Sequence, residues 1–205
     1  MLNLVTSTKP KCLRCPLNNE HAVQPVEVSG RGKHKILLLF KCPDESESDG
    51  YKRVIGQQYI PIVEILSEYG ISFKEDCWKL HAVNCHYSDR QYKNPDKLIE
   101  NCSNFVEHEI KRLKPDLIIA FGGEASKAVL KNRFSDCSVS RWRGIPLFVP
   151  EFNSHLMVTF DPGKFDNGMD GETYRETTSR DVKEGLKLLK KEKPFRVKNY
   201  GGFRG

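Results

Sequence analysis

The sequence has 205 residues, enough for one compact domain with a sizeable apolar core. The net charge of +6 lies in residues 183–205, which hold eight basic and two acidic residues, so the rest is neutral overall. No apolar run has membrane-spanning length, and no basic, apolar and small-residue leader pattern opens the chain. The cysteine count of seven is odd, so we expect a reducing compartment, cytoplasmic or nucleoid-associated, and no disulfide framework.

Predicted strands and helices alternate along the chain. Short apolar runs predict strands at 35–40, 78–83, 116–121, 145–149 and 155–160. Helical spacing of apolar residues, with capping and glycine signals, predicts helices at 59–69, 95–114, 122–130 and 180–191. Asn94 is the expected cap of the second helix. The stretch 166–177 is rich in Gly, Asp and Thr, which predicts a linker.

This alternation predicts a three-layer α/β/α fold around a central, mostly parallel sheet of about four to five strands. We expect residues 1–193 to form a single domain and residues 194–205 to form a basic, aromatic tail. Ligands of such sheets bind beyond the carboxyl ends of the strands. We therefore expect the functional residues in the four loops that follow Phe40, Val83, Phe121 and Phe160.

Four cysteines have the spacing of a metal site. Cys12 and Cys15 form a CxxC pair, Cys85 follows the second predicted strand, and Cys102 lies on the second predicted helix. Sites made of four thiolates bind zinc or an iron–sulfur cluster. The spacing leaves both metals open, as well as the alternative of unrelated buried thiols.

Several segments together resemble a known family over roughly residues 10–190. They are CLRCPL at 12–17, the strand and loop at 38–50, HAVNCH at 81–86, the helix at 94–113, KPDLIIAFG at 114–122 and LMVTFDPGK at 156–164. In order and spacing they resemble the uracil-DNA glycosylase superfamily, in its iron–sulfur, family 4/5-like branch. The resemblance implies a structural [4Fe-4S] cluster near DNA, on Cys12, Cys15, Cys85 and Cys102, with zinc as the alternative.

The sequence departs from this family at each active-site motif. The family's GEAPG motif aligns with residues 40–44, where Pro43 is retained and Lys41 replaces the acid. The base-stacking Phe of the family aligns with Val54, and its base-reading Asn aligns with His81. The resemblance therefore implies base-binding roles for Pro43, Val54 and His81. Val54 offers a smaller stacking face but a larger pocket, which would admit a modified base.

Asp44 and Asp161 are the candidate catalytic residues. Glycosidic cleavage passes through an oxocarbenium-like transition state, which a carboxylate can stabilise or supply with an oriented water. Among the loop acids Asp44, Glu45, Glu47 and Asp49, Asp44 is best placed, directly after Pro43; a solvated acidic loop is the alternative. Asp161 replaces the family's His, and an ionised carboxylate there opposes negative charge on the departing base. That favours a base with an extra donor, such as an amino group.

The candidate DNA contacts are Gly122, Gly123, Arg141, Arg143 and Lys164. Gly122 and Gly123 start a predicted helix, where amide groups can seat a phosphate or glycines can serve helix packing. Arg141 and Arg143 flank Trp142 on a loop that suits a DNA backbone or a protein partner. The tail suits single- or double-stranded nucleic acid, or a replication or repair protein.

Two functions follow from these patterns. The first is a DNA-binding hydrolase that recognises a flipped base and cleaves the N-glycosidic bond of uracil or a modified pyrimidine. The second is a catalytically inactive, glycosylase-like accessory protein of replication or repair.

Overall fold

The computed structural model describes residues 15–19, 25–44, 47, 57–88, 92–93, 95–130, 138–166 and 168–189. Cys12, Val54 and the tail at 194–205 lie outside these ranges. The strands are β1 (Ile36–Phe40), β2 (Cys77–His81), β3 (Leu117–Phe121), β4 (Leu147–Val149) and β5 (Ser154–Thr159). They form one sheet in the order β2-β1-β3-β5-β4, in which only β4 runs antiparallel to its neighbour. The predicted α/β fold with a mostly parallel sheet is confirmed.

The helices are α1 (Pro16–Asn19), α2 (Ile60–Glu68), α3 (Asp96–Leu113), α4 (Gly123–Leu130), α5 (Val139–Trp142) and α6 (Gly168–Leu188). Two 3₁₀ turns, Gln57–Tyr59 and Pro162–Lys164, lie near the carboxyl ends of the strands. None of the described helices is both long and apolar enough to cross a membrane.

The apolar side chains of the sheet alternate between two cores, because successive side chains of a strand point to opposite faces. In β1, Leu37 and Leu39 pack in a cluster with residues of α3 and α4. Ile36, Leu38 and Phe40 pack on the other face with residues of α2 and α6. All five side chains are nearly inaccessible to solvent. The two-sided burial of an uninterrupted apolar strand produces the predicted three-layer arrangement.

Helix α6 differs most from the sequence prediction, which was wrong to treat residues 166–177 as a linker. The helix begins at Gly168, twelve residues before its predicted start. Gly171 packs so closely on the carbonyl group of Phe165 that a Cβ atom there would lie 2.1 Å from the oxygen. Thr178 and Asp181 are buried beside Val182. The helix therefore buries polar side chains, and this obscures the apolar spacing on which the prediction depended.

The carboxyl ends of β1, β2, β3 and β5 lie at one edge of the sheet. The β1–β2 pairing continues past the strands, since the amide of Ala82 donates to the carbonyl of Phe40 at 2.8 Å and that of Val83 to Lys41 at 3.0 Å. The amide of Gly122 donates to the carbonyl of Thr159 at 3.0 Å. These bonds join the four loops in two pairs, those after β1 and β2 and those after β3 and β5.

Candidate functional site

The loops after β1 and β2 are packed together beyond the sheet. The ring Nδ1 of His86 lies 3.0 Å from the carbonyl oxygen of Pro43, and the thiol of Cys42 donates to the carbonyl of Tyr87 at 3.6 Å. The ammonium of Lys41 lies 5.0 Å from the centroid of the Tyr87 ring. Pro43 is buried and Asp44 is half-buried. The carboxylate of Asp44 accepts the amide of Glu47 at 2.9 Å, so Asp44 also stabilises the turn that holds Glu47.

A buried polar cluster of Glu47, Tyr59, Lys79 and His81 lies on the α2/α6 side of the β2 end. The hydroxyl of Tyr59 donates to Oε2 of Glu47 at 2.8 Å and also lies 2.8 Å from Nε2 of His81. The ammonium of Lys79 donates to Oε1 of Glu47 and lies 4.5 Å from the centre of the Tyr59 ring. Tyr59 and His81 are fully buried, and the side chains of Lys79 and Glu47 are 9% and 7% exposed.

Burial sets the protonation of the two ring systems in this cluster. It raises the pKa of Tyr59 far above its usual range, with the charge of Glu47 as the second cause, so the phenol keeps its proton. Burial, followed by the charge of Lys79, holds the pKa of His81 well below its ordinary value, so the imidazole is neutral. Nδ1 of His81 is buried without a hydrogen-bond partner among the described residues.

His81 was identified from the sequence, but Tyr59 and Lys79 were not, and Glu47 was one of several candidate loop acids. A signal for Lys79 was present. Lys79 lies two residues before His81 on the same strand, so both side chains point to the same buried face. A lysine at a buried position of a strand indicates a paired charge. Its partner Glu47 is 32 residues away, and that pairing depends on the tertiary structure.

On the other side of the site, Asp161 lies against Gly122. The carboxylate of Asp161 accepts the amide of Gly163 at 2.8 Å, which starts the turn Pro162–Lys164. A Cβ atom on Gly122 would lie 3.1 Å from Cβ of Asp161, and Gly122 has a φ of +92°. A Cβ on Gly123 would meet nothing within 4 Å. The fold thus brings together the candidate catalytic Asp161 and the candidate DNA-binding Gly122.

Arg143 is held in an ion pair. Its guanidinium donates to both carboxylate oxygens of Asp181, at 3.1 and 2.8 Å, and Thr159 donates to the same carboxylate at 2.9 Å. Burial raises the pKa of Asp181, while the Thr159 hydrogen bond and then the Arg143 charge oppose that rise. Arg143 therefore ties the segment after α5 to α6, Thr159 ties α6 to β5, and a contact of Arg143 with DNA stays a prediction.

The remaining candidate DNA contacts are exposed. The side chain of Arg141 lies on α5. The ammonium of Lys164 lies 5.7 Å from the ring centroid of Phe160 and 5.2 Å from that of Tyr174. The turn Gln57–Tyr59 lies beside the turn Pro162–Lys164, which brings the Tyr59 cluster and Asp161 to the same end of the sheet.

Three of the four candidate metal ligands pack against one core. Cys15 and Cys102 are buried in the cluster on the α3/α4 face, and Cys85 packs against it half-buried. Within the ranges that the structure describes, no group of three or more His, Cys, Asp or Glu side chains is placed to hold a metal ion. Cys12, the fourth candidate, lies outside those ranges. Cys15, Cys85 and Cys102 thus share one apolar region, and their binding of a cluster stays a prediction.

The chain is similar along nearly its whole length to a type-4 uracil-DNA glycosylase from Thermotoga maritima. The two are 24% identical over 194 residues, which cover 94% of this chain and 96% of the relative. The type-4 uracil-DNA glycosylase of Pyrobaculum aerophilum is 27% identical over 58% of this chain and 60% of its own length. That of Saccharolobus solfataricus is 24% identical over 63% of this chain and 59% of its own length.

No family model matches the chain. Even so, three relatives carry the same name, one aligns from end to end, and the mostly parallel sheet agrees with the fold expected from the resemblance. These similarities support the resemblance of the chain to the uracil-DNA glycosylase superfamily, in its iron–sulfur branch.

Proposed function

We propose that the protein binds DNA, takes an extruded pyrimidine base at the carboxyl ends of β1, β2, β3 and β5, and hydrolyses its N-glycosidic bond. The observation that carries this proposal is the end-to-end similarity to an enzyme named type-4 uracil-DNA glycosylase. The geometry supports it, because Pro43, His81, Gly122 and Asp161 all lie at the carboxyl ends of the parallel strands.

In the proposed reaction a water molecule attacks C1′ of the deoxyribose while the bond from C1′ to the base nitrogen breaks. The base leaves with the electron pair of that bond, and the sugar passes through an oxocarbenium-like state. Asp44 orients the water and accepts its proton. Pro43 and His81 contact the base, as does Val54, which lies outside the described residues. Asp161 lies near the departing base, so a base with an amino donor suits this site better than unmodified uracil.

A base panel tests the hydrolysis. Duplexes with uracil, cytosine or hydroxymethylated and other modified pyrimidines are incubated with the protein and then treated to cleave abasic sites. We expect strand cleavage at one of these bases and a loss of about 100-fold or more in Asp44→Asn. Asp96→Asn is the matched control, because that carboxylate pairs on the surface with Lys127. If no base yields abasic sites, the hydrolase proposal is wrong.

A second candidate function is that of a non-catalytic DNA-binding accessory protein, acting through the fold and the tail at 194–205. It is favoured by Asp44 capping its own turn and by Arg143 being bound to Asp181. In this case no abasic sites form, while DNA binding persists. Deletion of 194–205 would then weaken binding to DNA, or to a replication or repair protein, and flatten its salt dependence.

DNA contacts by Arg141, Arg143, Lys164, Gly122 and Gly123 are part of both proposals. A lysine or arginine that contacts a phosphate releases about one counterion. We expect Arg141→Ala and Lys164→Ala each to weaken binding for all sequences and to lower the slope of log affinity against log salt by about 1. A slope that stays the same in both variants contradicts their role in binding.

We propose that Cys12, Cys15, Cys85 and Cys102 hold a [4Fe-4S] cluster, which when bound would brace the N-terminal segment, the β2 loop and α3 against one another. A reducing compartment, cytoplasmic or nucleoid-associated, would keep these thiols available. Protein purified without oxygen should be brown and contain about four irons per chain. A colourless protein with one zinc contradicts the cluster.

Cys77 provides a matched control for this proposal. It is fully buried on the opposite, α2/α6 face of the sheet, and burial raises the pKa of its thiol to about 12. Cys102→Ser should lose most of the iron, whereas Cys77→Ala should retain it. Equal iron contents in the two variants would contradict the assignment of Cys102.

A further inference from the structure

We infer that Glu47 and Tyr59 fix His81 in the tautomer whose Nδ1 is unprotonated, so that the site selects a base that presents an N–H donor. This inference rests on the proposed function for its substrate, but the tautomer itself is a property of the protein alone. Glu47 and Tyr59 are thus positioning residues, and His81 is the residue that would contact the base.

The charge of Glu47 determines which group donates in its contact with Tyr59. Its Oε1 accepts a hydrogen bond from the ammonium of Lys79, and both side chains are more than nine-tenths buried. Beside this cation the acid is a carboxylate, which has only acceptor atoms. Its second oxygen, Oε2, lies 2.8 Å from the hydroxyl of Tyr59. That contact requires a donor, so the hydroxyl proton of Tyr59 points to Glu47.

The hydroxyl of Tyr59 has a single proton, and this sets the direction of its hydrogen bond with His81. Since that proton is used at Glu47, the contact of 2.8 Å between the same oxygen and Nε2 of His81 requires the histidine to donate. His81 therefore carries a proton on Nε2. Because burial and the charge of Lys79 keep the ring neutral, the other nitrogen carries none.

Nδ1 is the ring nitrogen of His81 that remains for a ligand. Nδ1 of His81 is buried and has no hydrogen-bond partner in the part of the chain that the structure describes. Buried polar atoms are almost always satisfied, and an exception calls for an explanation such as a ligand. His81 ends β2, at the edge of the sheet where ligands of such folds bind.

An acceptor at this position discriminates between base edges. It accepts the ring N3–H of uracil or the exocyclic amino group of cytosine and of related modified bases. It offers nothing to a base that has only acceptors on that edge. A site that hydrogen-bonds its ligand rejects an analogue lacking the group, because the buried partner is then left unpaired.

Nitrogen-15 NMR of the histidine rings tests the tautomer without DNA. In the wild-type protein at neutral pH, we expect Nδ1 of His81 to resonate as an unprotonated nitrogen and Nε2 as a protonated one. Tyr59→Phe removes the acceptor at Nε2, so the Nδ1 signal should move towards the protonated position. Tyr69→Phe is the matched control: its hydroxyl bonds Ser179 at the other end of α2, so its loss should leave the His81 signals unchanged.

Binding to DNA tests the selection. Duplexes carry a fluorine on the sugar of the tested nucleotide, which destabilises the oxocarbenium-like state and slows cleavage. Two matched pairs delete one donor each: uracil against 3-methyluracil, and cytosine against 2-pyrimidinone. We expect wild type and Tyr69→Phe to bind the donor-bearing base of at least one pair about tenfold or more tightly, and Tyr59→Phe to lose that preference.

The outcomes separate this inference from the proposed function. A protonated Nδ1 in the wild type, or signals of His81 that do not respond to Tyr59→Phe, overturns the inference even if the protein excises bases. An unprotonated Nδ1 with DNA binding but no donor preference overturns the selection. If Nδ1 is unprotonated but the protein neither binds DNA nor excises a base, the assigned tautomer of His81 is supported and the proposed function is rejected.

Discussion

The β1–β2 side of the site and its β3–β5 side use buried polar groups differently. On the β1–β2 side, Glu47, Lys79 and Tyr59 satisfy one another, but Nδ1 of His81 is left over among the described residues. On the β3–β5 side, the carboxylate of Asp181 is bonded by Arg143 and Thr159. The first arrangement leaves an atom for a ligand, whereas the second holds α6 against β5. The contrast is consistent with the proposal that His81, on the β1–β2 side, reads the base.

The largest expected effect comes from breaking the buried ion pair of the β1–β2 side. Lys79→Met leaves the carboxylate of Glu47 buried without its cation, so we expect the free energy of unfolding to fall by about 3–5 kcal/mol in urea denaturation. The double variant Lys79→Met/Glu47→Leu should recover most of this loss, because no uncompensated charge remains.

Lys127→Met is the control for that experiment. Lys127 pairs with Asp96 at 2.6 Å, but the two side chains are 46% and 57% exposed. Water screens such a pair, and its loss should change the free energy of unfolding by about 1 kcal/mol or less. Equal effects of Lys79→Met and Lys127→Met would show that the buried pair is not a distinguishing feature of this side.

A smaller effect is expected on the β3–β5 side from Arg143→Met. The side chain of Asp181 is 3% exposed, and of the hydrogen bonds from Arg143 and Thr159 it would keep the one from Thr159. Arg143 is 28% exposed, so water partly screens the charge that is lost. We therefore expect a loss of about 2–3 kcal/mol in the free energy of unfolding near pH 7.5. Arg175→Met, which removes a surface pair with Glu64 at 2.6 Å, should lose about 1 kcal/mol or less.

The loss in Arg143→Met should also depend on pH. Burial already raises the pKa of Asp181 in the folded protein above its usual 3.8, and removing the opposing charge of Arg143 raises it further. A carboxyl whose pKa is raised by folding destabilises the fold above that pKa, and this effect disappears as the pH falls towards the unfolded value. The difference between variant and wild type should therefore shrink from about pH 7.5 to about pH 4.5. A constant difference contradicts this account of Asp181.

The smallest effect separates two neighbouring glycines at the start of α4. Gly122→Ala puts a side chain at a φ of +92° and 3.1 Å from Cβ of Asp161, so we expect a loss of about 1–2 kcal/mol in the free energy of unfolding. Gly123→Ala meets no atom within 4 Å and should be neutral or stabilising by up to about 1 kcal/mol. If the two variants unfold alike, the contact between Gly122 and Asp161 does not constrain the β3–β5 side.

The sheet was predictable because its strands are buried on both faces. The runs of β1 and β3 contain five apolar residues each, with turn residues on either side, and this pattern needs no tertiary information. The apolar spacing of α3 was equally clear. The first half of α6 was not predictable in this way. Its polar composition favours a loop in isolation, and tertiary packing such as that of Gly171 on Phe165 makes it a helix.

The site was predictable only where one residue identifies a motif. Pro43, His81 and Asp161 were found by aligning their segments with the motifs of the family that the sequence resembles, and the structure places them at the carboxyl ends of the strands. The ion pair between Lys79 and Glu47 depends on two segments that meet only in the folded chain. Arg143 was interpreted from its basic, aromatic neighbours, but its partner Asp181 lies 38 residues away, in a helix that sequence placed correctly at that position.

The hydrogen bonds that extend the β1–β2 pairing to Ala82 and Val83 have a kinetic consequence. They tie the loop of Pro43 to the loop that follows His81, so the two should open together and their amides should exchange with solvent as slowly as those of the strands. A partner that contacts Lys41, Ala82 or Val83 meets backbone that is already hydrogen-bonded. The entropy lost on association would then come mainly from the incoming molecule, and point changes in either loop should alter its residence time more than its rate of arrival.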